Sequence, residues 1–348
     1  MTDFRLAGPD DDARLRAVLR ANGLPTWVEM AMQYEPSYFA AHNWFGRDWA
    51  VLAEERGATV GMYSAGIKPV HLDGRAERIG YLGGLRVNTE HRHRIRHLRA
   101  GYASIPALAP ERGTRDWWFT VVSADNAAAR RLLEAGVRGL PAYRPLGDYL
   151  TLALPTARAQ RNGAWRTARA DEAAALIAFH NAQAARLQLS PVLDAALVTR
   201  IGLEHFRVHE RGGALAGVVA LWDQRTFKQI VARRYRVPLG ALIPLYNLAA
   251  RLTRRIPLPR TGGTLAQCHL AFLALDETAT HDGLALMRDL LAHCATPIAA
   301  LGLHAGHALI GQLEPLRPLR YPARVYAVGA DAAPLRKARP VQPEVALL

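Results

Sequence analysis

The sequence predicts an α+β protein made of two tandem copies of one fold, each a mixed, mostly antiparallel sheet flanked by helices. Two observations predict it: helices and strands follow the same order in both halves, and short motifs recur at regular offsets. A chain of 348 residues is also long enough for about two domains. We expect domains over residues 1–155 and 165–329, followed by a loose, proline-rich tail over 330–348.

The first half is expected to begin with helices and to continue with two hairpins. Pro9 and the acidic run at residues 10–12 precede an apolar stripe, which is typical of the start of a helix. A second helical region, rich in aromatic residues, is predicted over 27–45. Two hairpins follow, with their turns at Arg56-Gly57 and Asp73-Gly74.

Helices and strands alternate in the rest of this half. A helix is predicted over about 95–109, and the segment DWWFTVVS is typical of a strand. The next helix covers 126–135 and ends at Gly136, because glycine often terminates helices. The last strand covers about 142–153, and the polar stretch that follows is typical of a linker.

The second half repeats this order after a predicted helix over about 171–186. Three matches support the repeat: Glu55–Gly57 with Glu210–Gly212, Gly61 with Gly217, and Leu85 with Leu273. Their offsets are 155, 156 and 188, so the second half carries an insertion of about 32 residues. We place the insertion near 224–262, where an arginine-flanked apolar stretch predicts a basic amphipathic helix.

Composition and motifs exclude several classes of protein. Half of the residues are apolar, which excludes a disordered chain, and no apolar run is long enough to span a membrane. The start of the chain lacks a secretory pattern, and the two cysteines lack the spacing of a zinc site, so a cytoplasmic location is expected. The phosphate-binding P-loop, the dinucleotide fingerprint, the serine-hydrolase elbow and the HExxH motif are absent from the sequence.

The segment Ile79–Leu98 carries the strongest functional signal. It predicts a strand, a short loop and a helix, and such loops present backbone N–H groups that bind phosphates at the positive end of the helix. Histidines and arginines alternate in the loop: His91, Arg92, His93, Arg94, Arg96 and His97. The arginines favour an anion over a cation, so we expect an anion site and no metal site here.

Two segments resemble the GNAT superfamily of N-acetyltransferases. In LRVNTEHRHRIRH, four residues match the family's strand and coenzyme A loop: Leu85, Arg86, Val87 and Arg92. Ile95 and His97 stand where that loop carries glycine and glycine or alanine. The second segment resembles the pattern N-x-x-A-x-x-x-Y-x-x-x-G-F through Asn126, Ala129, Leu132, Glu134 and Gly136. Leu133 stands at the tyrosine position of that pattern.

The resemblance implies an N-acyltransferase that moves an acetyl or other acyl group from acyl-CoA to a primary amine by direct attack. Acetyl-CoA or another acyl-CoA is the implied co-substrate, and the acceptor is a small-molecule or peptide amine. The implied cofactor-binding residues are Leu85, Arg86, Val87, Arg92, His93, Arg94, Ile95, Arg96, His97 and Asn126. The corresponding loop of the second half is acidic, so we expect that half not to bind coenzyme A.

The resemblance also suggests where the chemistry takes place. The backbone of Leu85–Val87 would supply the oxyanion donor, and Glu77 and Tyr81, on the same strand, are the nearest catalytic candidates. No residue stands out as the general acid.

Two other functions stay open. Ile95, His97 and Leu133 depart from the family pattern and favour a catalytically lapsed binding or regulatory module. The formal net charge of +14 and the arginines of the insertion favour a nucleic-acid-binding protein, or contact with anionic lipid.

Overall fold

The apolar segments of both halves form strands of one large sheet. The computed structural model describes residues 2–22, 28–91, 95–236, 239–329, 335 and 339–348. The strands are β1 (Asp3–Leu6), β2 (Val28–Gln33), β3 (Arg47–Glu55), β4 (Ala58–Leu72), β5 (Arg75–Val87), β6 (Trp118–Ser123), β7 (Tyr143–Pro155), β8 (Arg166–Thr167), β9 (Ser190–Pro191), β10 (Phe206–Arg211), β11 (Ala214–Trp222), β12 (Gln229–Tyr235), β13 (Gln267–Leu275), β14 (Ile298–His304) and β15 (Leu319–Val328). The helices are α1 (Asp12–Ala21), α2 (Ile95–Leu108), α3 (Ala127–Glu134), α4 (Ala173–Ala184), α5 (Ala195–Ile201), α6 (Leu239–Leu252), α7 (Glu277–His281), α8 (Gly283–Leu291) and α9 (Leu309–Gln312).

The strand order shows that the two halves exchange their last strands. Across the sheet the order is β1-β3-β4-β5-β6-β15-β7-β14-β13-β11-β10-β8, and β9 adds to β4. β15 comes from the second half but lies between β6 and β7, whereas β7 comes from the first half and pairs with β14. The tandem α+β fold is therefore confirmed, but the ranges 1–155 and 165–329 do not form separate sheets. Sequence order alone does not reveal this exchange, because both strands have the same local pattern.

The register of the strands supports the repeat found in the sequence. Gly61 of β4 pairs with Val87 of β5, and Gly217 of β11 pairs with Leu275 of β13, which lies 188 residues beyond Val87. The expected turn at Arg56-Gly57 is confirmed: both residues have positive φ angles, of 53° and 79°. The tight reversal at this turn fits the twist of the strands it joins.

The aromatic-rich region is not the helix that the sequence analysis expected over 27–45. Within it, residues 28–33 form β2, and only a short 3-10 turn follows at Tyr38–Ala41. β2 pairs with β12 of the insertion, from Val28 opposite Tyr235 to Gln33 opposite Gln229. The strand depends on a partner about two hundred residues away, so local periodicity could not predict it.

The tail is also not loose where the structure describes it. Val341 and Ala346 are 7% and 3% exposed and belong to the largest apolar cluster. The Tyr149 hydroxyl donates to the carbonyl of Pro343 at 2.8 Å, and the Gln188 amide donates to the carbonyl of Pro340 at 2.8 Å. The described part of the proline-rich tail is therefore held by hydrogen bonds and apolar packing.

Four apolar clusters cover the two faces of the large sheet and position its helices. The largest lies against α4 and α5 and joins side chains of both halves. A second packs α8 and α9 on the second half, and two smaller ones lie beneath α1 and α2 on the first half. Among the residues that the structure describes, no helix is both long and apolar enough to cross a membrane.

The half-buried Glu344 makes the docking of the tail sensitive to pH. It accepts hydrogen bonds from the backbone amides of Phe272 at 2.8 Å and Ala346 at 3.1 Å. Burial nevertheless raises the pKa of Glu344 to about 7. Because the folded-state pKa is raised, the stabilisation is present at low pH and is lost as the pH rises from about 4.5 through about 7.

We expect Glu344→Gln to remove this pH dependence, because a glutamine side chain keeps an acceptor oxygen without titrating. Between pH 5 and pH 8 the wild-type protein should lose at most about 3 kcal/mol of unfolding free energy that the variant retains. Urea titrations at several pH values measure the difference, with the exposed Glu277→Gln as the matched control. Parallel pH profiles for wild type and Glu344→Gln would contradict the assignment.

Candidate functional site

Strands β5 and β6 separate after a short stretch of pairing and leave a cleft between them. They run parallel and pair only at Gly80 with Trp118 and at Tyr81 with Phe119. Beyond these pairs the strands diverge, and a cavity of about 340 Å³ lies between them. Its walls come from β4, β5, β6, α2 and α3, and most of its lining is apolar.

A bulge in β5 forms one wall of the cleft. Met62 of β4 pairs with Arg86 and Ser64 pairs with Gly83, so Gly84 and Leu85 together lie opposite Tyr63 alone. Gly84 has a φ angle of 60°, and a Cβ atom there would lie 2.6 Å from the Ser64 hydroxyl oxygen. Glycine is required at this point, and the bulge turns peptide groups of β5 away from β4.

The structure brings half of the predicted cofactor residues to this cleft. The residues that line it are Leu85, Arg86, Val87, His97 and Asn126. Ile95 begins α2, and Arg96 lies in its first turn with its guanidinium 3.4 Å from the Glu55 carboxylate. Arg92, His93 and Arg94 lie outside the described residues. The positive end of α2 therefore lies beside the cavity.

His97 is buried in the first turn of α2 and is held from two sides. Its Nδ1 lies 2.8 Å from the Thr2 hydroxyl, and its Nε2 lies 3.9 Å from the Glu55 carboxylate. The ligand atoms of Glu55, His91 and His97 all lie within 4.8 Å of one another. This spacing can hold a metal ion, but the Arg96 guanidinium lies beside the same carboxylate and opposes a cation there.

Asn126 caps helix α3 beside the cleft. Its side-chain oxygen accepts a hydrogen bond from the Ala129 amide at 3.3 Å, which accounts for its place at the helix start. Leu133, on the same helix, also lines the cavity. The tyrosine that the family pattern expects there is replaced by an apolar side chain.

A tyrosine outside the predicted site reaches the cavity from β7. Tyr143 lines the cleft, and its hydroxyl bonds to that of Tyr102 on α2. Burial raises the pKa of the Tyr143 hydroxyl, so it stays protonated. The sequence signal for Tyr143 was its position in the last strand of the first half. Its partner Tyr102 lies 41 residues earlier, so no local pattern connects the two.

Tyr81 lies where β5 and β6 begin to separate. Its ring packs against Phe119 with centroids 4.9 Å apart, and its hydroxyl lies next to Gly83, 2.9 Å from where a Cβ would stand. Burial raises the pKa of the Tyr81 hydroxyl, which therefore holds its proton at neutral pH. A protonated phenol beside the bulge can donate a proton but cannot accept one.

The structure does not place Glu77 at the cleft. It lies near the start of β5, about 23 Å along the strand from Gly84. Its carboxylate accepts hydrogen bonds from the Thr114 hydroxyl and from Arg115, at 2.8 Å for Arg115, and the bond from Thr114 is the main cause of its lowered pKa. Alternation correctly placed Glu77 and Tyr81 on one face of the strand, but a strand face is long, and only Tyr81 lies near the bulge.

The second half contains an equivalent cleft that the chain itself fills. β13 and β14 are also parallel and diverge after three pairs, the last of which joins His269 to Ala300. Phe272 lies 188 residues beyond Gly84 and has a similar positive φ of 56°. Its amide donates to Glu344 of the tail, and Gln342 accepts from the His304 amide at 3.1 Å. The tail thus occupies the place that is open in the first half.

Comparisons with known proteins identify the fold. No family model and no curated protein matches the chain. A crystal structure of Saccharomyces cerevisiae N-myristoyltransferase with bound myristoyl-CoA is similar over 96% of this chain and 80% of that one, with a TM-score of 0.60 and 11% identity. A GCN5-related N-acetyltransferase from Anabaena variabilis is similar over 94% of this chain and 72% of that one, with a TM-score of 0.51 and 10% identity. These similarities confirm the GNAT fold that the sequence motifs indicated.

Proposed function

We propose that the protein is an acyl-CoA-dependent N-acyltransferase that acylates a primary amine on a small molecule or a peptide. The observation that carries the proposal is the open cleft between β5 and β6, with the Gly84 bulge on one side and the start of α2 at its mouth. A structure of similar fold has myristoyl-CoA bound, which supports an acyl-CoA as the donor here.

The cleft offers a suitable group for each part of an acyl-CoA. The N-terminal turn of α2 presents backbone N–H groups to the pyrophosphate. The exposed strand edges of β5 and β6 provide amides and carbonyls for the pantetheine arm, beside Asn126. The bulge at Gly84 and Leu85 provides a backbone N–H for the thioester carbonyl, where negative charge develops in the transition state. The mostly apolar walls suit an acyl chain.

The reaction needs one proton removed and one supplied. The neutral amine attacks the thioester carbon, the C–N bond forms and the C–S bond breaks, and the leaving thiolate takes up a proton. Tyr81 is the proposed donor of that proton, because its hydroxyl lies beside the bulge and stays protonated. Glu77 is remote, so we propose that the proton of the attacking ammonium leaves to water.

The alternative of a lapsed binding module rests on Ile95 and His97 in the first turn of α2. His97 lines the cavity with a side chain where the family's loop keeps glycine or alanine, so less of the backbone is open to a phosphate. This alternative predicts binding of acyl-CoA without turnover. Product formation across a panel of amines separates it from the enzyme.

We expect the protein to bind one acyl-CoA per chain, because the second cleft is filled. Calorimetric titration with acetyl-CoA and with myristoyl-CoA measures the stoichiometry and shows which chain length is preferred. Two equivalent sites, or no binding at millimolar ligand, would contradict the assignment of the cleft.

Gly84→Ala should weaken acyl-CoA binding at least about tenfold, because the added Cβ meets Ser64 and shifts the bulge. The matched control is Gly212→Ala. Gly212 has a φ of 58° and nothing within 4 Å of an added Cβ, and it lies in a hairpin turn of the second half. Gly212→Ala carries the same strain of a positive φ without the contact to Ser64, so equal losses of affinity in the two variants would count against the bulge.

Tyr81→Phe should lower kcat at least about tenfold and leave acyl-CoA affinity unchanged, because only the proton donor is removed. Steady-state kinetics and the pH profile of kcat measure the effect. Tyr143→Phe is the comparison variant, since Tyr143 lines the cleft and offers a second protonated hydroxyl. A loss confined to Tyr143→Phe would reassign the donor.

A further inference from the structure

Helix α6 of the insertion presents leucines to solvent. Leu242, Leu245, Leu248 and Leu252 are 48%, 65%, 57% and 80% exposed. They account for half of the exposed large hydrophobic side chains among the described residues, although the helix has only 14 residues. We call these four residues the leucine face. Such a concentration marks an interaction surface rather than scattered surface hydrophobics.

The spacing of the four leucines places them on one side of the helix. Steps of three, three and four residues keep them within about one third of the helix circumference. The residues exposed beside them between 240 and 250 are also non-polar: Gly240, Ala241, Pro244 and Ala249. The outward side of α6 is therefore apolar between 240 and 250, and the exposed Arg251 follows in its last turn.

The opposite side of α6 carries the polar anchors of the helix. Asn247 bonds to both backbone groups of Leu258, donating to its carbonyl at 2.9 Å and accepting from its amide at 2.8 Å. The Tyr246 hydroxyl donates to the Ile256 carbonyl at 3.1 Å. Ile243 and Ala250 also face the protein, at 6% and 1% exposed, so α6 is apolar on its inner side as well as on its outer side. A surface helix usually presents a polar side to water instead. These bonds hold the leucine face outward.

Arginines surround the C-terminal end of α6. Arg158 donates to the Thr253 carbonyl at 3.0 Å, next to Arg254 and Arg255 in the sequence. Burial is the main cause of the lowered pKa of Arg158. Four nearby positive charges lower it further: those of Arg317, Arg254, Arg255 and Arg288. We call these five residues the arginine cluster. Among the described residues, none of the five forms an ion pair with a carboxylate, and α6 itself contains no acidic residue.

We propose that α6 docks on the surface of an anionic lipid bilayer. The helix would lie in the plane of the membrane, with the leucine face at the boundary of the acyl chains and the arginine cluster against lipid phosphates. Apolar contact along the helix and opposite charge at its end would then act together, which is the combination that holds amphipathic helices at anionic membranes.

The leucine face and the arginine cluster argue against two other partners for α6: a second copy of the chain and a nucleic acid. A symmetric dimer through the leucine face would bring two arginine clusters together, and their repulsion would have no acidic residue of α6 to offset it. A nucleic acid would use the arginines but would leave four leucines in water, since single strands bind through aromatic stacking and charge. The proposal does not depend on the function of the cleft, which lies in the first half of the chain.

The test is flotation of the full chain with vesicles of phosphatidylcholine alone or mixed with phosphatidylglycerol. We expect binding to the mixed vesicles that weakens as salt is added, and little binding to phosphatidylcholine alone. Wild-type protein that stays in solution with both kinds of vesicle would overturn the proposal.

Two pairs of substitutions separate the apolar and the charged parts of the surface. Leu245→Gln with Leu248→Gln should weaken vesicle binding at least about tenfold, because both side chains are exposed and would otherwise enter the membrane. Arg254→Gln with Arg255→Gln should weaken it about fivefold for each arginine. Leu6→Gln, 42% exposed in wild type, and Arg75→Gln, also exposed, are the matched controls on the first half.

Three outcomes would contradict the assignment of this surface to a membrane. Vesicle binding that is unchanged by Leu245→Gln with Leu248→Gln overturns the membrane proposal. So does a dimer in sedimentation velocity that these substitutions abolish, or tighter binding to a single-stranded oligonucleotide than to the mixed vesicles. Circular dichroism and acyl-CoA titration of each variant show that the fold is retained.

Discussion

The structure depends on the pairing of β15 between β6 and β7 at the centre of the sheet. β15 makes a continuous antiparallel ladder with β6, from Val328 opposite Trp118 to Ala323 opposite Ser123, and a longer one with β7. This exchange joins the two halves into one sheet. It also explains why the cleft can exist. β6 has a full set of hydrogen bonds to β15 on one side, so it can diverge from β5 on the other without losing its place in the sheet.

The two clefts arise from the same arrangement of strands, but one is open and the other is filled by the tail. In both halves a parallel pair of strands separates after two or three pairs, next to a strand residue with positive φ. In the first half that residue is Gly84, and the cleft beside it stays open. In the second half it is Phe272, whose amide donates to the Glu344 carboxyl of the tail. The tail supplies the hydrogen bonds and apolar contacts that a ligand would supply in the open cleft.

The insertion is attached to the first half although it belongs to the second. β12 pairs with β2 in a separate two-stranded sheet, and Arg233 reaches Glu29 at 3.1 Å. Helix α6 follows directly and is held by side-chain bonds from Asn247 and Tyr246 to the loop after it. The described residues of the insertion are therefore attached to the rest of the molecule by strand pairing and hydrogen bonds. The exposed leucines of α6 favour contact with another apolar surface over contact with water.

The sequence by itself determined the class of fold, the tandem repeat and the turns, because these follow from local patterns such as Arg56-Gly57 and Asp73-Gly74. It also indicated the strand, loop and helix near Leu85 and the cap at Asn126 that lie at the cleft. Only the tertiary structure decided the exchange of β7 and β15, the strand β2, the packed tail, and the separation of Tyr81 from Glu77. Each of these depends on a partner that is distant in the chain, and local periodicity carries no information about which distant segments meet.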